Sequence, residues 1–253
     1  SSITALTGSA TDLIEAVTSN GITGLGDEAI TVDSGTATTA QANALADETS
    51  GIVTATIAEG DLATLSGLTG TGNAYAITIS DTAVNAAILN AINNKTINDI
   101  NGQNIIQIEG TAEDIATAYT AGGINGLGDE EIIFTASNIN ASDLIAIDSA
   151  NSQVIDASTL TTLTGTAVDL NTAFESGGIS NLSDQDVTLT DSSLTASVLN
   201  ALDGNTTGSI DASAITTLTG TAAELIEAVT SDGITGLGSE AITVDSGTAT
   251  TAQ

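Results

Sequence analysis

Three closely spaced carboxylate pairs are the residues of this chain best suited to chemistry: Asp27 with Glu28, Asp129 with Glu130, and Asp184 with Asp186. Two carboxylates can divide acid and base work, as in glycosidases. They can also hold Ca²⁺, a hard cation that prefers oxygen ligands. Two of the pairs close a Gly-rich turn, GLGDE, at Gly24–Glu28 and Gly126–Glu130, and NLSDQ and GLGSE are partial copies of it. An active site is normally unique, whereas a feature repeated along a chain usually serves structure. The expectation is therefore a protein that is not an enzyme, with no catalytic residues, no cofactor, and Ca²⁺ as a candidate ligand of the acidic turns. Neither an EF-hand loop nor the nonapeptide calcium repeat is present. A solvated acidic edge that keeps the chain soluble is the competing reading.

The turns must be positioned by something, and composition narrows the choice. The chain has 253 residues, with 32 acidic side chains against one basic one, Lys95, and a net charge of −31. A surface without cations cannot replace the counterions of nucleic acid or of an anionic membrane. Copies of such a chain repel one another unless salt or divalent cations screen them. Hydrophobic residues make up 41 %, nearly all Ala, Ile, Leu and Val, and their spacing is periodic, which argues for order despite the acidity. Cys, Met, Trp and Pro are absent. No apolar run reaches the roughly 18 residues of a membrane span. The four aromatics, Tyr75, Tyr119, Phe134 and Phe174, are expected to fill core.

Residues 1–41 and 213–253 align without a gap and differ at seven of 41 positions. The chain thus reads as one long period, positions 1–212, and the opening of the next, a window from a longer tandem array. Inside the period, ITALTGSATDLIEAV at Ile3–Val17 returns as IIQIEGTAEDIATAY (Ile105–Tyr119), LTTLTGTAVDLNTAF (Leu160–Phe174) and ITTLTGTAAELIEAV (Ile215–Val229). A degenerate copy lies at Val53–Leu68. Four units result, about 1–49, 50–102, 103–157 and 158–212, followed by 213–253. Each contains two strand–helix coils of about 26 residues, a length typical of solenoids. The expected domain organisation is a single continuous solenoid over 1–253.

Local signals support both elements. Ile215 and Leu218 flank β-branched Thr in a short strand. Ala222, Leu225, Ile226 and Val229 follow at helical spacing, behind Thr221 and Glu224 in a capping-box pattern. Gly233 is expected to end that helix as a left-handed residue. In the second coil of a unit, Leu194, Val198, Leu199 and Leu202 carry the apolar face. The fold class is thus an α/β solenoid whose strands stack in a parallel sheet. Strands spaced about 4.8 Å apart cannot match helices spaced about 8–10 Å apart, so the stack should be curved or superhelical. The alternative is an all-β parallel β-helix. Thr54–Asn73 departs most from the pattern and should form a distorted coil.

Asn94, Asn140, Asn181 and Asn205 begin N-x-Ser/Thr triplets and are glycosylation candidates. Over Ile155–Leu237, LTGTAVDLNTA and ASVLNALDGNTTG resemble the repeats of giant secreted cell-surface and matrix proteins of cyanobacteria and other aquatic bacteria. That resemblance implies an extracellular structural role and supplies no catalytic or ligand residues. The functional expectation is a structural segment of a long extracellular filament or surface-layer or matrix protein. Its partners would be copies of itself and divalent cations. A spacer or extender region of a large bacterial adhesin is the alternative, followed by an ice-binding or carbohydrate-binding solenoid. Lys95 leaves trypsin-like proteases almost nothing to cut, which suits an exposed fibre.

Overall fold

The computed structural model describes residues 3–245, and strands alternate with helices throughout. Positions 246–253 of the closing repeat lie outside the described residues. The chain divides into two compact parts. The first comprises Ser1–Gly110 and Thr117–Glu131, the second Thr111–Ala116 and Ile132–Gln253. The first part contains β1 (Ala5–Ser9), α1 (Ala10–Val17), β2 (Ala29–Ser34), α2 (Thr39–Glu48), β3 (Val53–Thr56), α3 (Leu62–Leu65), β4 (Ala74–Ala76), β5 (Ala83–Asn85), α4 (Ala86–Asn93), β6 (Ile100–Asn101) and β7 (Gln107–Gly110). Next come α5 (Ala112–Thr120), β8 (Ile124–Asn125) and β9 (Glu131–Phe134). The second part continues with β10 (Asn138–Asn140), α6 (Ala141–Ala150), β11 (Ile155–Asp156), β12 (Thr162–Gly165), α7 (Ala167–Glu175), β13 (Ile179–Ser180), β14 (Asp186–Leu189) and β15 (Ser193–Thr195). It closes with α8 (Ala196–Asn205), β16 (Ile210–Asp211), β17 (Thr217–Gly220), α9 (Ala222–Thr230), β18 (Ile234–Thr235) and β19 (Ala241–Val244). The helices rule out the all-β alternative.

Strands pair in parallel, and the second part keeps a nearly constant interval along the chain. Thr162 pairs with Asp186, Val187 with Ile210, and Ile210 with Ile234. Register is fixed by an aliphatic ladder that runs Ile139, Leu163, Val187, Ile210, Ile234, every member buried. A one-residue slip would turn that ladder to solvent. The first part builds the same ladder from Leu6, Ile30 and Val53.

The helices keep a different interval. Those of the second part start at Ala141, Ala167, Ala196 and Ala222 and pack side by side in that order. The coil length expected from the sequence measures this helix spacing, whereas the strand ladder advances by shorter steps. Both hold because the links between helices differ. The α6–α7 and α8–α9 links each carry two strands, and the α7–α8 link carries three, β13, β14 and β15. One sheet therefore slides along the motif as it grows, in the order β10, β12, β14, β16, β18. It begins on strands just before a helix and ends on strands just after one. This explains several short sheets where the sequence suggested one.

The apolar face of each helix is narrow. α4, α6, α7 and α8 bury residues at i, i+3 and i+6: Ala86, Leu89, Ile92; Ala141, Leu144, Ile147; Ala167, Leu170, Ala173; Ala196, Leu199, Leu202. The small first residue lets the helix start lie close against the sheet. Val198 and Ile226, expected in the core, are only half-buried, and Val229 is 46 % exposed. Tyr75 is fully buried, and its hydroxyl donates to the Ala42 carbonyl at 3.5 Å. Thr54–Asn73 is distorted as the sequence suggests. Its helix α3 is a single turn, and Thr54 pairs with Ala74, a shorter step than any in the ladder of the second part.

Leu199 is fully buried while Val168 of the neighbouring helix is 66 % exposed. Leu199→Ala is expected to cost about 2–5 kcal/mol in urea unfolding and Val168→Ala less than about 0.5 kcal/mol. Equal costs would contradict the assigned helix face.

Candidate functional site

The carboxylate pairs separate on folding. Asp27 and Asp129 face solvent, while Glu28 and Glu130 are fully buried. Each buried carboxylate turns back onto its own loop. Glu28 Oε2 accepts from the backbone N–H of Gly26 (2.6 Å) and Asp27 (3.1 Å). Glu130 Oε2 accepts from Gly128 (2.8 Å) and Asp129 (3.1 Å), and Glu240 Oε2 from Gly238 (2.6 Å) and Ser239 (3.0 Å). The second part holds a neutral version: Gln185 Oε1 accepts from the N–H of Asp184 at 3.2 Å. Its amide nitrogen donates to the carbonyls of Leu160 (3.3 Å) and Asn181 (3.1 Å).

The Gly-rich loop exists to present those N–H groups. Gly24, Gly126 and Gly236 have φ of 83°, 92° and 84°, the left-handed region that favours glycine. Asn181 fills the equivalent place at φ 58°, and its side chain anchors on Asp156 at 2.8 Å. Asp184 is exposed, and exposed Asp186 accepts from the Ser209 N–H at 2.8 Å. Among the described residues, no three acidic side chains gather as a metal-binding group.

Tyr119 distinguishes one copy from the rest. Its hydroxyl donates to Glu130 Oε2 at 2.6 Å. Burial first, then the hydrogen bond and charge of Glu130, push the phenol far above its ordinary pKa. The equivalent positions are Val17, Phe174 and Val229, none of which can donate.

Other polar side chains join neighbouring segments in ways the sequence does not announce. Asp191 Oδ2 accepts from the first N–H of α7 (2.7 Å), Asp81 from that of α3 (2.7 Å), and Glu59 from that of α2 (2.9 Å). In each case an acid from the segment that follows caps the helix. This satisfies an orphan N–H and complements the helix dipole. At the other end, Ser176 donates to Asp148 (2.6 Å) and Ser231 to Asp203 (2.7 Å), and both hydroxyls accept from the N–H of the second glycine or aspartyl-glycine position beyond, Gly178 and Gly233. Asn93 plays the same part by donating to the Gly122 carbonyl at 2.9 Å.

That contact corrects the expectation for Gly233, which does not adopt the left-handed region. Its hydrogen is needed because a Cβ there would overlap the Asp203 carboxylate, as one at Gly178 would overlap Asp148. The Thr221–Glu224 capping box forms as expected. Asn94 and Asn181 are exposed, Asn140 is the N-cap residue of α6, and the Asn205 amide is committed to Asn171 at 2.8 Å.

No protein-family model matches this chain, and no curated protein or solved structure is significantly similar to it.

Gly178→Ala should destabilise by roughly 1–3 kcal/mol through overpacking, and Asp148→Ala should remove most of that penalty. Independent costs in a double-mutant cycle would contradict the clamp. Acid should act on the turn and cap carboxylates. Hydrogen bonds hold Asp156 (chiefly from Asn181), Asp211 (from Ser213), Glu224 (from the Thr221 N–H) and Glu240 (from the Gly238 N–H) below the usual carboxylate range. Folded pKa values below the unfolded ones give stability that is complete above the unfolded values and lost as pH falls through the folded ones. Thermal melts in roughly 1 M NaCl, where general repulsion is screened, should therefore show Tm falling as pH drops below about 4. A rising Tm there would overturn the assignment.

Proposed function

We propose that this chain is a structural segment of an extracellular tandem-repeat filament or surface matrix, wound as an α/β solenoid. The observation that carries this reading is the near-constant parallel register, handed from strand to strand through β10, β12, β14, β16 and β18. The recurrent polar groups support it. The turn carboxyls, the helix-capping acids and the helix-end clamps return at equivalent places and bond within or between neighbouring segments. Repetition of one contact suits a scaffold, because each copy performs the same mechanical task. A net charge of −31 makes lateral packing of copies depend on screening by cations. The resemblance to giant secreted bacterial surface proteins supports the location.

Electron microscopy of a chain that contains several of the long periods, with calcium and with chelator, tests this. Regular filaments whose axial repeat matches a whole number of periods are expected. Isolated flexible strands in both conditions would favour an adhesin spacer instead. Lateral assembly that survives chelation at low salt would remove the cations from the reading.

A further inference from the structure

Gln185 reveals what its position demands, and Glu28 meets only half of it. The two sites share their flanking hydrogen bonds, and their loops differ at one position, where Gly26 has φ 138° and Ser183 lies outside the positive region. Ala29 N–H donates to the Thr4 carbonyl (3.0 Å), as Asp186 N–H does to Thr161 (2.9 Å). Thr49 Oγ1 donates to the Glu28 carbonyl (2.6 Å), as Thr206 Oγ1 does to Gln185 (2.8 Å). Gly24 and Asn181 share the left-handed conformation. In both side chains one terminal oxygen accepts from the loop N–H groups. The other terminal atom differs. In Gln185 it is an NH₂ that donates to the Leu160 and Asn181 carbonyls. In Glu28 it is Oε1, an acceptor, which is buried and has no hydrogen-bond partner. The carbonyls that replace those of Leu160 and Asn181 belong to Ile3 and Gly24.

We infer that Glu28 Oε1 and the backbone carbonyls of Ile3 and Gly24 form a site for one hard cation, with Ca²⁺ the best fit. By equivalence with Gln185, the carbonyls of Ile3 and Gly24 take the places beside Glu28 Oε1 where the neutral copy directs its N–H donors. A cation supplies the missing positive charge and satisfies all three at once, whereas an unpaired buried carboxylate oxygen costs its full desolvation. Ile3 and Gly24 are both exposed, so the ion is reached from solvent, and water completes the six to eight oxygens that calcium takes. The donor set is mostly backbone, so it forms without any gathering of acidic side chains. The site lies within one chain, independent of whether copies assemble.

The test uses the full chain, calcium chloride as the probe, calorimetric titration, and thermal melts at constant ionic strength. The native chain is expected to bind calcium and to gain Tm with calcium concentration. Glu28→Gln, which installs the amide already present at Gln185, should lose one calcium equivalent and melt at a Tm that calcium does not change. The converse variant, Gln185→Glu, should lower Tm in chelator and recover it in calcium. An equal calcium response in the native and Glu28→Gln chains would reduce the effect to surface screening and overturn the site. A native chain without calcium response, stabilised by Glu28→Gln at every calcium concentration, would assign a proton to Glu28 and overturn it equally.

Discussion

Everything in this protein hangs on parallel pairing between strands that a helix separates in the chain. Parallel strands cannot be joined by a tight turn, so each pairing needs an intervening crossover, and a helix supplies it. The aliphatic ladder through Ile139, Leu163, Val187, Ile210 and Ile234 locks the register, because each rung is buried only while its neighbours are. One strand–helix segment exposes much of its hydrophobic surface when alone. Stability thus belongs to neighbouring pairs of segments, as nearest-neighbour models of repeat proteins hold.

The acidity takes on a different meaning in that light. A chain with 32 carboxyls and one ammonium can build almost no ion pairs. Its carboxylates bond instead to N–H and O–H groups: loop amides at Glu28, Glu130 and Glu240, helix starts at Glu59, Asp81 and Asp191, and serines at Asp148 and Asp203. Such charge-assisted bonds are stronger than neutral ones. They fasten loops and neighbouring segments while the exposed acids keep the surface uniformly negative. Glu28 and Tyr119 mark where the scheme varies, one copy carrying an orphan oxygen and another an extra phenol donor.

Much of this was legible in the sequence. The alternation of strand and helix follows from β-branched runs and helical spacing, the Thr221–Glu224 box from its Thr-x-x-Glu signature, and the distortion of Thr54–Asn73 from its loss of pattern. The strand register does not, because the motifs that reveal the repeat are the helices, and their spacing is longer. Nor does the burial of Glu28 and Glu130, since neighbouring carboxylates in a polar turn look like solvated ones. Gly233 misleads for a related reason. A glycine after a helix commonly signals a left-handed cap, and the side chain that requires it here, Asp203, lies on the preceding helix, α8. Local patterns report local constraints, and both the strand register and the Gly233 clamp are contacts between segments.

The two intervals, strand against strand and helix against helix, act together like a vernier. Two strand steps lead from Ile139 to Val187, while two helix steps lead from Ala141 as far as Ala196. The strands fall behind the helices, so no strand column continues indefinitely. The sheet from β10 to β18 shifts along the motif over five strands, and β11–β13 and β15–β17–β19 occupy other places on it. Seams are staggered as in bonded brickwork. The described strands are also short, two to six residues, so an edge strand offers other chains only a brief template, the usual hazard of stacked parallel strands.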